Sequence, residues 1–121
     1  MSSSAFKRKL SGSTDGKAIK ITQTATPGDT IHTAVAGTTA GTLDEIWIWA
    51  FNSHTTVVTL TIEFGGNIGP DNLITQTIPF KKGVFLIIPG LLLQNTLKVR
   101  ACAGTANVVT IMGFENAIVD S

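Results

Sequence analysis

Apolar and polar residues alternate with a period of two along most of this chain. In 56–64, Val58, Leu60, Ile62 and Phe64 fall on one face and Val57, Thr59, Thr61 and Glu63 on the other. In 96–103, Leu97, Val99 and Ala101 oppose Lys98, Arg100 and Cys102. The same pattern, bounded by Gly, Pro, Asn and Asp, predicts eight strands: 17–24, 30–36, 43–51, 56–64, 73–78, 84–88, 96–103 and 107–118. Breaks are expected at Pro27 to Asp29, Gly37 to Gly41, 65–72, Lys82-Gly83, Pro89-Gly90 and Gly104. No segment carries a helical stripe, and the 18 threonines favour a pleated surface. The fold class is all-β: a single-domain eight-stranded antiparallel β-sandwich, with a jelly roll favoured over an immunoglobulin-like order.

One run breaks the half-buried pattern. "EIWIWAFN" places Trp47, Trp49 and Phe51 on one side and Ile46, Ile48 and Ala50 on the other, and both sides are apolar. If 43–51 and 56–64 form a hairpin, loop parity chooses the core face. A loop of even length puts Trp47 and Trp49 inside and leaves Ile46 and Ile48 beside Val57 and Thr59. An odd loop reverses this, but it favours a glycine that "NSHT" lacks. The even loop is preferred. On that reading Ile46, Ile48, Val57 and Thr59 form an outer apolar strip, the candidate oligomer interface.

Residues 1–16 are Ser-rich, basic and without periodicity, and read as a flexible N-terminal arm ahead of a domain at 17–121. Five of the nine basic residues, Lys7, Arg8, Lys9, Lys17 and Lys20, lie in the first twenty positions against one acid, Asp15. Phe6, Lys7, Arg8 and Lys9 make a candidate anchor, read as docking on an acidic protein neighbour ahead of nucleic acid. The net charge of +1 steers the chain toward neither nucleic acid nor membrane. Charged residues are 14%, well below the usual quarter or so, which suits either a surface made for protein contacts or a plain neutral β-protein. The start lacks the apolar stretch of a signal peptide, and "VFLIIPGLLL" is too short to span a bilayer.

Candidate chemistry is sparse. Cys102 is the only cysteine, so no intrachain disulfide forms. His32 and His54 have no ligand companions at metal-binding spacing. Asp44 and Glu45 are adjacent in a strand and point apart, so they cannot act as a catalytic pair. Asn67, Asp71 and Asn72 in "GGNIGPDN" offer oxygens for calcium, but the same residues serve as ordinary turn formers, the preferred reading. No metal, cofactor or enzymatic activity is expected. Exposed tryptophans would suit carbohydrate stacking, but only in the less favoured register.

Residues 43–119 carry a resemblance. "IWIWAFNSHTTVVTLTIEFGG" is followed by the Pro89-Gly90-Leu91 turn, Asn95, Ala101 and a last strand near Gly113-Phe114. The region resembles small β-sandwich virion structural proteins of tailed bacteriophages, of the capsid decoration (cement) type. The resemblance implies a protein that binds the major capsid protein, stabilises the head and self-associates, often as a trimer, in a virion assembled in the host cytoplasm. A tail, baseplate or head-fibre component with an adhesive or carbohydrate-binding role is the alternative. It brings no catalytic residues.

Overall fold

The computed structural model describes residues 3–120, and these contain no helix. The strands are β1 (Ser3–Lys9), β2 (Ile19–Lys20), β3 (Asp29–Thr33), β4 (Leu43–Asn52), β5 (Val58–Phe64), β6 (Leu73–Ile78), β7 (Phe85–Leu93), β8 (Lys98–Ala103) and β9 (Val109–Asp120). They form two antiparallel sheets. Sheet A runs β1-β9-β4-β7, with β2 also on β9, and sheet B runs β3-β8-β5-β6.

Each predicted strand has a counterpart, and 73–78 coincides with β6. The unforeseen strand is β1. Ser3–Lys9 pairs with β9 at seven consecutive positions, from Ser3 opposite Asp120 to Lys9 opposite Phe114. The flexible-arm expectation is therefore corrected from Ser3 onward, while residues 1 and 2 lie outside the described residues, as does Ser121 at the end of the expected domain. Its cause is that β1 borders the sheet and all its side chains from Ser4 are exposed. An edge strand of this kind is held by its backbone, which leaves little hydrophobic alternation to read. Leu10, directly after it, is 1% exposed and belongs to the core.

The core is built from aliphatic residues, most of them Ile and Val, facing inward from both sheets. Ile46, Ile48 and Ala50 of β4, Ile88 of β7 and Ile111 of β9 meet Ile31, Leu60, Ile62 and Val99 of sheet B. Burying one such aliphatic side chain contributes about 1.5–3 kcal/mol. At Gly113 the β9 backbone passes so close to β4 that an added Cβ would lie 2.0 Å from the Trp47 carbonyl oxygen.

β4 and β5 are not a hairpin. They lie in different sheets, and the chain crosses between them after Asn52. Asn52 is fully buried and secures the crossing: its Nδ2 donates to the carbonyls of Thr56 (3.0 Å) and Ile78 (2.9 Å), and its Oδ1 accepts from the His54 N–H. Among consecutive strands, β5 and β6 alone pair with each other.

Candidate functional site: the aromatic face of sheet A

Because no hairpin joins β4 to β5, loop parity does not set the β4 register. Its burial alternates from Asp44 to Asn52 with Ile46, Ile48 and Ala50 inside and Trp47, Trp49 and Phe51 half-exposed outside. The preferred register is thus overturned. Ile46 and Ile48 are 0% exposed and unavailable to a partner. Val57 is 57% exposed at the start of sheet B, and Thr59 is exposed on that sheet's outer surface. The four expected interface residues do not form one patch.

Directly paired residues share a face. Outside sheet A, one row reads Lys9, Phe114, Trp47, Pro89 and the next Lys7, Asn116, Glu45, Leu92. A third reads Met112, Trp49, Leu86. Trp47, Trp49 and Phe114 form a triangle at the centre. Their ring centroids are 6.2, 6.3 and 6.0 Å apart, with planes 16–29° from parallel. The Lys7 ammonium sits 4.7 Å from the centre of the Phe114 ring. Gly90, in β7 at φ +78°, makes room for the indole: an added Cβ would come within 2.8 Å of Trp47 Cζ2.

Glu45 fixes the polar side of the triangle. Its Oε1 accepts from Trp47 Nε1 at 2.9 Å and from Asn116 Nδ2 at 2.8 Å. These two donors, Trp47 first, hold its carboxyl below the usual range, so it stays anionic at neutral pH. On the β7 side the face turns aliphatic, with Leu86 and Leu92 48% and 50% exposed. An aromatic centre with a cationic border and an aliphatic border suits adhesion, since rigid rings supply contact area at low entropic cost. Of the expected anchor, Lys7 and Lys9 join this face. Phe6 and Arg8 lie on the opposite side of β1, paired with Ala117 and Glu115, with the guanidinium 5.8 Å from the Phe6 ring centre.

A second constellation lies between the sheets. His32, Asp44 and Glu115 are buried together, although far apart in sequence. A register shift between Thr30 and His32 turns both Ile31 and His32 inward. Asp44 and Glu115 share the inward parity of Ile46 and Ile111. His32 Nε2 lies 2.8 Å from Asp44 Oδ2 and 3.3 Å from Glu115 Oε2. The Ser11 backbone N–H donates to Nδ1 at 3.0 Å, so the ring proton sits on Nε2. That nitrogen is then a donor to Asp44 and offers no lone pair to a metal, although the three side chains are close enough to surround one. Burial, first of all, and then the adjoining Asp44 carboxylate push Glu115 up to about 7, while Arg8 pulls the other way. The cluster is a polar cross-brace between sheets. Its members carry inward parity in the sequence, but which faces are inward depends on the crossover.

The 65–72 loop closes on its own backbone, with Phe64 N–H donating to the Asn72 carbonyl and Asn72 N–H to that of Ile68, both at 2.8 Å. Asn67 borders a cavity of about 340 Å³ that also meets Glu63, Lys98 and Arg100. Cys102 is buried, with burial pushing its thiol up.

No family model, curated protein or solved structure matches the chain.

Proposed function

We propose that this protein is a structural component of a tailed-phage virion, a capsid decoration protein that binds the major capsid protein and stabilises the head. The observation that carries this reading is the outward aromatic face. Trp47, Trp49 and Phe114, half-buried and stacked on the outer face, with the exposed Leu86 and Leu92 beside them, form an apolar patch of the kind that marks an interface. Aromatic anchors surrounded by polar groups are the usual centre of a protein interface. Ile46 and Ile48, expected at an oligomer interface, are buried, and the contact role passes to the opposite face of the same strand. Lys7 and Lys9 border it, which suits an acidic rim on the partner.

The strand order supports a jelly roll. Sheets ordered β1/β2-β9-β4-β7 and β3-β8-β5-β6, with a single hairpin between consecutive strands, match two interlocked Greek keys. An immunoglobulin-like order would keep several consecutive strands paired within one sheet.

Co-sedimentation with expanded heads of the encoding phage tests the reading: binding lost in Trp47→Ala and Trp49→Ala supports it, and absence of wild-type binding refutes it. The outward-facing, half-buried tryptophans also favour a second reading, an adhesive component that stacks sugars. Saturable glycan binding without head binding would select it.

A further inference from the structure

The two sheets leave four edges, and three are guarded. β1 presents Lys7, Arg8 and Lys9. β7 contains Pro89, which has no N–H to donate, and slips register twice against β4. β3 is five residues long, begins with Asp29 and slips between Thr30 and His32. Charge, proline, short length and bulges are the devices by which proteins prevent edge pairing.

β6 has none of them. Its sequence, LITQTI, contains no charge, proline or glycine, and it pairs with β5 at six consecutive positions without a shift. Thr75, Gln76 and Thr77 are exposed, and among the described residues no strand lies beyond them in sheet B. The Thr77 carbonyl accepts from the Gln76 side-chain amide at 3.1 Å, so a side chain occupies the place of a neighbouring strand.

We propose that β6 is a pairing edge by which two copies of this chain join antiparallel about a two-fold axis, making one continuous sheet from both copies of sheet B. Charge selects the occupant. Self-pairing centred on Gln76 sets Thr75 opposite Thr77 of the second copy and Ile74 opposite Ile78, so no like charges meet. The same operation on β1, centred on Arg8, would set Lys7 against Lys9 and Arg8 against itself. A two-fold contact is also self-complementary and closes on itself, so the exposed edge stops there and does not propagate into fibres. The contact lies on sheet B and leaves the aromatic face of sheet A free, so it holds whatever that face binds.

Sedimentation equilibrium of the full chain from micromolar to millimolar concentration tests this. The wild type is expected to double its mass, and the double variant Thr75→Lys, Thr77→Lys to remain monomeric with an unchanged far-ultraviolet spectrum. A wild type that stays monomeric throughout, a trimer, or a folded variant that still dimerises would overturn the proposal. If the variant fails to fold, amide exchange on the wild type decides. Protection of the β6 amides that rises with protein concentration supports the edge, and protection independent of concentration refutes it.

Discussion

His32 of β3 and Asp44 of β4 meet inside the molecule with Nε2 and Oδ2 2.8 Å apart, joining the two sheets by a polar contact within a largely aliphatic core. The Ser11 N–H on the far side of the ring and the Val35 N–H on Asp44 complete the arrangement. Removing one partner strands the others without water. Asp44→Ala leaves the His32 and Val35 donors unpaired and is expected to cost about 1–3 kcal/mol, read as a lower urea midpoint at unchanged slope. A loss below about 1 kcal/mol would show that the brace contributes little.

Glu115 in the same cluster gives the pH dependence a sign. Its carboxyl is raised to about 7 in the fold from the ordinary 4.5 of a glutamate. Below about 4.5 it is protonated in both states and its favourable contribution is fully present. Between 4.5 and 7 the unfolded chain ionises first, so stability falls as pH rises, and above 7 the contribution is gone. Urea titrations from pH 4.5 to 7.5 should show this decline on top of other groups. Glu115→Gln should flatten it, and an equal slope in the variant would reject the assignment.

The β4 register makes opposite demands on neighbouring positions. Ile48 is 0% exposed, and Ile48→Ala should cost about 2–5 kcal/mol. Trp49 is half-exposed on the outer face, and Trp49→Ala should cost roughly 1 kcal/mol despite the larger side chain. Thermal melts of the two variants check the order. Greater damage from Trp49→Ala would return the tryptophans to the core.

β1 makes the N-terminal segment part of the fold. Deleting residues 1–9 removes the strand bordering β9 and should destabilise the protein by roughly 1–3 kcal/mol. A flexible arm could be removed without any change in melting temperature.

These contrasts mark where the sequence is informative. Strand spans are legible because a two-residue period is local, and β6 is read to the residue for that reason. The core faces of β5 and β8 are legible too, since Val58, Leu60, Ile62, Val99 and Ala101 oppose more polar neighbours. The core face of β4 is not, because both its faces are apolar and the deciding fact is non-local. The chain leaves sheet A at Asn52, which removes the hairpin on which the parity depended. Asp44 and Glu115 were hidden by the same step. β1 is hidden for a different reason, since backbone pairing at an edge leaves no pattern in SSAFKRK.

The most direct test of the central claim uses the chain's only two tryptophans, which both lie on the proposed attachment face. Iodide quenching of tryptophan fluorescence is measured for the free protein and for the protein mixed with expanded heads, its proposed partner. The account predicts ready quenching in the free protein and marked protection in the bound one. Equal quenching in both states would contradict attachment through Trp47 and Trp49.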